Sequence, residues 1–267
     1  MNLKKFEHLG GGGGGVHQLN NNQLFNLQLF ADSTLNYNKV DNPYNFYLNK
    51  PTWTKGDIKK VYNLVRYYEK IPNYSTITTL PEENANYIKE ALPNVTDCNS
   101  MLYSCSKLTS IDTTGWITSK VTNMDGMFYN CKALTTLDVS NWNTSNVTSM
   151  DTMFSNCESL TTLDVSKWDT SNVIYMSNMF RYCNALTTLD VSNWDTSKVT
   201  GIDRMFYRCS SLTTIKGVID MKSCNSHINM FFGCTKLTGV KIKNPPSGIT
   251  DTSGIGGLAA GKYEIVS

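Results

Sequence analysis

From about Asn94 to Lys243, large apolar side chains return in the same order once every 26 residues, separated by threonine, serine, asparagine and aspartate. The cysteines make the period countable: Cys105, Cys131, Cys157, Cys183 and Cys209 stand 26 apart, and Cys234 follows after 25. Met127-Phe128, Met153-Phe154, Met179-Phe180, Met205-Phe206 and Met230-Phe231 precede them, while Leu134, Leu160, Leu186 and Leu212 follow them. A fixed period of this size marks a stack of like supersecondary units rather than a single central core.

One unit, Ser145 to Asp169, shows what each stretch predicts. Val147, Met150, Met153, Phe154 and Cys157 recur at helical spacing behind a Ser145 cap, so a short helix is expected there. Leu163-Asp164-Val165 alternates like a strand, turning Thr162, Asp164 and Ser166 outward, and Trp168 makes a corner into the next unit. A lone unit cannot bury enough apolar surface to fold. Stacking would bury both flanks and pair strands of successive units about 4.8 Å apart in a parallel sheet. The expected fold is an α/β solenoid with a parallel β-sheet on one face and short helices on the other.

The flanks differ in pattern. Residues 1–35, with Gly10 to Gly15 inside them, are low in complexity and read as a flexible arm. Residues 36–93 are expected to form a helical N-terminal cap. Ile58, Val61, Tyr62, Val65 and Tyr68 mark one helical face over 54–70, and a second helix is expected over 81–92 between Pro81 and Pro93. Ile77-Thr78-Thr79-Leu80 copies the Leu-Thr-Thr-Leu of the repeat 31 residues ahead of its next copy, which predicts an irregular opening coil. The repeat proper fills 94–243. Pro245 and Pro246 then break the ladder, and 244–267, ending in a strand-like Lys262 to Val266, is the expected C-terminal cap.

Charge narrows the function more than it assigns it. With 24 basic and 22 acidic residues, net +2 and scattered, nothing favours nucleic acid or an anionic membrane. No run approaches a membrane span, and no apolar run follows Lys4 and Lys5, so a signal peptide is not expected. Six of the eight cysteines occupy one repeated position beside phenylalanine and leucine, as a small buried hydrophobe does. On the helical side neighbouring units are expected to stand too far apart for easy bridging. Cys98 and Cys224 lie off that column and are the thiols worth testing. Trp116, Trp142, Trp168 and Trp194 read as corner packing rather than a sugar platform. His8, His17 and His227 form no catalytic set and no nucleophile or phosphate-loop motif can be assembled, so an enzyme is not expected.

The outward strand positions give columns of Thr136, Thr162 and Thr188, of Asp138, Asp164 and Asp190, and of Ser140, Ser166 and Ser192. Asp112 opens the aspartate column and Lys216 and Lys241 continue it. These nine residues are the expected ligand-binding face. A solvated ladder and calcium along the aspartates are the other readings of the column, and no metal site or cofactor is assigned.

The pattern Val-Thr-x-Met-x-x-Met-Phe-x-x-Cys-x-x-Leu-Thr-x-Leu-Asp-Val-Ser-x-Trp-x-Thr-Ser resembles the repeat of BspA-like bacterial surface proteins, relatives of leucine-rich repeats, over about 150 residues. The resemblance implies a right-handed leucine-rich-repeat-like solenoid and adhesion or recognition at a surface. Trp142, Trp168 and Trp194 depart from it where leucine-rich repeats commonly stack asparagine. Asn26-Leu27-Gln28-Leu29-Phe30-Ala31 resembles a short N-terminal segment of tailed-phage structural proteins. Together these imply a non-enzymatic protein displayed on a virion, held to capsid proteins by its arm, binding a protein or glycan on a cell surface without nucleic acid or membrane insertion. A bacterial cell-surface or secreted adhesin is the alternative.

Overall fold

The computed structural model describes residues 78–79, 88–89, 92–250 and 254–267. The arm over 1–35, the helix expected over 54–70 and most of that over 81–92 lie outside the described residues. Within them, one chain of parallel bridges joins Asp97, Asn123, Ser149, Tyr175, Gly201 and Ser226, each to the next. The bridged residues are separated by 26 positions four times and then by 25, the same steps as the cysteines. Each unit therefore lies beside its sequence neighbour, in register.

Among the described residues strands are few, and all pair in parallel. β1 (Thr188–Asp190) lies against β2 (Thr214–Lys216), with Asp190 opposite Lys216. β3 (Val218–Asp220), β4 (Val240–Lys243) and β5 (Tyr263–Val266) form a second sheet in that order. Parallel neighbours need a long return connection, which the rest of each unit supplies. Elsewhere threonine joins the units: both the N–H and the Oγ–H of Thr148 donate to the Thr122 carbonyl, at 2.8 and 3.1 Å. Thr122 does the same to Thr96, and Thr135 to Thr109. Thr109 donates twice to Thr78, 31 positions back, which seats the opening coil in register.

The short helices expected in each unit are not formed; Met150 to Cys157 is a run of tight turns. The N–H groups of Met150, Thr152, Phe154 and Asn156 donate to Tyr175, Ser177, Met179 and Arg181 of the next unit at 2.9, 2.9, 2.9 and 2.7 Å. Those of Met153, Ser155 and Cys157 turn back to Met150, Thr152 and Phe154 at 3.3, 3.0 and 3.1 Å. An α-helix would spend all of these donors within itself; here about half bind the neighbouring unit. Left-handed backbone at Thr152 and Asn156, φ 55° and 61°, lets the chain reverse at each turn. Val147, Met150, Met153, Phe154 and Cys157 are nevertheless fully buried, because four-residue turns and a helix select nearly the same inward positions.

Replacing helices by turns changes the spacing. Packed helices stand about 8–10 Å apart, whereas Phe128, Phe154, Phe180, Phe206 and Phe231 stack ring on ring at 5.6–5.7 Å. Trp116, Trp142, Trp168 and Trp194 stack at 5.7–6.4 Å. The expectation that the cysteine side stands far apart is thus corrected: neighbours there are at hydrogen-bonding distance. At the C-terminal end, Gly256 and Gly257 lie against Met230 and Phe232. A Cβ on either would come within 2.7 or 2.9 Å of those residues, so glycine alone fits this close approach.

Candidate functional site

The strand side presents the nine expected residues as three columns. Thr136, Asp138, Thr162, Asp164, Thr188 and Ser192 are exposed, and Ser140, Ser166 and Asp190 are half-buried. Between them Leu137, Val139, Leu163, Val165, Leu189 and Val191 point inward, buried, so the alternation that places the columns outward is real.

Each aspartate is first engaged with its own turn. Asp138 Oδ1 accepts the Ser140 N–H at 3.0 Å and the Ser140 Oγ–H at 2.6 Å, and Asp164 repeats this with Ser166 at 3.1 and 2.6 Å. Asp190 accepts the Ser192 N–H at 3.0 Å, and Asp112 the Thr114 N–H at 2.8 Å. Hydrogen bonds from Ser140, Ser166 and Ser192 hold Asp138, Asp164 and Asp190 below the ordinary carboxylate range, with Lys167 assisting the first two and Lys216 the third. The column is therefore anionic at neutral pH and leaves Oδ2 of Asp138 and Asp164 to solvent or a ligand. At its end Lys216 Nζ reaches Asp190 Oδ2 at 3.7 Å. Among the described residues no three His, Cys, Asp or Glu side chains converge as metal ligands would.

The tryptophans are packing. Trp116, Trp142, Trp168 and Trp194 are 1–7 % exposed, and Trp168 and Trp194 donate Nε1–H to the Val139 and Val165 carbonyls at 3.1 and 3.0 Å. Trp142 Nε1 has no hydrogen-bond partner among the described residues. All eight cysteines are free. The repeated thiols donate to carbonyls one unit back, as Cys157 does to Phe128 at 3.2 Å, and burial pushes the Cys157 thiol up to about 12. Burial also raises the thiols of Cys98 and Cys224, so neither carries an activated thiolate.

Two features of the turn side leave no periodic apolar mark in the sequence. Asp125, Asp151 and Asp203 form an inner column in which Asp125 accepts the Asp151 N–H at 2.9 Å, Asp151 the Ser177 N–H at 2.6 Å, and Asp203 the Ile228 N–H at 2.6 Å. Burial, with a contribution from nearby Asp125, raises the Asp151 carboxyl to about 6 against the opposing Ser177 hydrogen bond. The second feature is a cluster of Arg181, Tyr182, Tyr207 and Arg208 on the outer surface. Its signal was available: three of the chain's four arginines, Arg181, Arg204 and Arg208, fall within two units.

Comparison with curated proteins finds no match. A family model described as "Mycoplasma protein of unknown function, DUF285" matches residues 83–146 and 133–244 and supports the BspA-like repeat resemblance over that stretch. Those two matches together span more than half of the chain, which places this protein in the DUF285 family.

Proposed function

We propose that the chain is a non-enzymatic, surface-displayed recognition or adhesion protein, whose stacked units wind as a leucine-rich-repeat-like solenoid. The Thr136, Asp138 and Ser140 columns and their copies one and two units on meet a protein or glycan ligand on a cell surface. The observation that carries this reading is the regularity of the columns: over three successive units the same threonine, aspartate and serine recur on the outward face, although burial does not constrain them. Carboxylates and hydroxyls at fixed spacing offer a polymeric ligand the same contact several times over, so weak contacts multiply.

The site of display is a virion, with the arm over residues 1–35 holding capsid proteins. The Asn26 to Ala31 resemblance favours it. A bacterial cell-surface or secreted adhesin is the second reading, favoured by the family match. Mass spectrometry of purified particles beside fractionated cells separates the two. Presence in particles is expected, and presence only in the cell-envelope or secreted fraction would overturn the virion assignment.

A further inference from the structure

The turn side carries a cluster that the columns above do not use. The Arg181 guanidinium lies 4.8 Å from the Tyr182 ring centre and 5.6 Å from that of Tyr207, and Arg208 lies 5.8 and 5.7 Å from the same two rings. Tyr207 stacks on Phe232 at 5.3 Å. Phe232 and Ile228 are 44 % and 58 % exposed. Among the described residues, none of Arg181, Arg204 and Arg208 has a carboxylate within 4.0 Å; Arg181 Nε is buried without a hydrogen-bond partner, which leaves the terminal nitrogens as the part of that guanidinium a ligand can meet.

The backbone supplies an independent sign. Tyr182, Arg204 and Arg208 stand in left-handed conformation, φ 59°, 52° and 58°. The same turn positions in other units hold Ser100, Ser104, Gly126, Asn130, Thr152, Asn156, Asn178, Asn229 and Gly233. Left-handed backbone suits glycine and asparagine best. Long side chains at three such positions in two adjacent units therefore run against local preference, and strain of this kind gathers where a side chain serves binding. Gly233 fits the pattern, since a Cβ there would come within 2.9 Å of Arg208 Cγ.

We infer that this patch docks an acidic peptide segment of a partner protein, one carrying an apolar side chain beside its carboxylates. The inference rests on the recognition reading above but assigns a second contact surface. Planar guanidiniums held over tyrosine rings can bind a carboxylate at two points, the exposed Arg208 through its N–H edges and Arg181 through its terminal nitrogens. They also occupy the ring faces on which a sugar would stack, while Ile228 and Phe232 offer the apolar contact a peptide side chain needs. Arginine and tyrosine are among the residues enriched at the energetic centres of protein interfaces.

Selecting a random peptide library on the full chain tests this. Enriched peptides should carry aspartate or glutamate next to an aromatic or aliphatic residue, bind more weakly in high salt, and bind Tyr182→Asn and Arg208→Asn at least ten-fold more weakly. The melting points of those variants should hold or rise, since asparagine suits the backbone. Should either variant melt early, Arg181→Lys decides, because it keeps charge and backbone but loses the planar fork and should still weaken binding several-fold. Peptides without acidic bias, equal binding to all three variants, or tighter binding of hyaluronan through the same residues would overturn the inference. Binding lost instead in Asp138→Asn and Asp164→Asn would overturn it while leaving the strand-side reading intact. Particle mass spectrometry judges the site of display separately.

Discussion

The two sides of a unit solve the same stacking problem with different chemistry. On the turn side, alternate backbone N–H groups reach the next unit directly, and left-handed residues every four positions keep the chain in step. On the strand side, ladders are short, and the hydroxyls of Thr135, Thr161 and Thr213 reinforce the backbone by donating to the same carbonyls as their N–H groups. Cohesion thus resides in backbone and interior columns on both sides, which frees the outward positions to vary. The strand side keeps its outward residues uniform over three units; the turn side does not, running from Tyr103 and Tyr129 to Arg181, Tyr207 and Phe232.

The largest expected effect comes from breaking an interior column. Phe154 is fully buried and stacked on both sides, so Phe154→Ala should cost about 3–5 kcal/mol in urea unfolding, the range for emptying a packed aromatic site. The tryptophan column allows a finer comparison. Trp168→Phe and Trp142→Phe remove the same atoms, but only Trp168 donates to a carbonyl. Trp168→Phe should therefore be the costlier by about 1 kcal/mol.

Acidity distinguishes the two aspartate columns. Folded Asp151 keeps its proton up to about pH 6, whereas its unfolded value lies near 3.8. The native state holds the extra proton between those values, so Asp151 lowers stability as pH rises through that window. Asp138, Asp164 and Asp190 are shifted downward, and the stability they add fades only as pH falls below the ordinary carboxylate range. Urea melts across the window should show the decline in the wild type and its removal in Asp151→Asn. The smallest effect belongs to the outward face: Asp138→Asn should change stability by less than about 0.5 kcal/mol, while weakening ligand capture if the strand side is the contact surface.

Much of this was legible in the sequence. The 26-residue step, the inward set from Val147 to Cys157, the buried tryptophans and the thiols as packing all follow from apolar periodicity, and the structure places those residues inside. The turns were misread as helices because Met150, Met153, Phe154 and Cys157 satisfy both geometries. The discriminating signal lay in the polar residues: Thr152 and Asn156, with Ser, Gly or Asn at most of their equivalents, recur at four-residue spacing that a helix does not require. Asp125, Asp151 and Asp203 were passed over because a carboxylate accepting a neighbouring unit's N–H leaves no periodic apolar mark. The arginine cluster was hidden by a net charge of +2, which averages it away.

Consecutive units act as interchangeable rungs, each held by those above and below. Removing residues 147–172 joins Asn146 to Val173 and deletes one whole period without shifting any column. That deletion should leave a chain that still unfolds in one cooperative urea transition, with a smaller denaturant dependence because less surface is buried. Removing half as many residues from the same stretch should abolish the transition. If the whole-period deletion unfolds the chain, or both deletions are tolerated alike, the stacked-rung account is wrong.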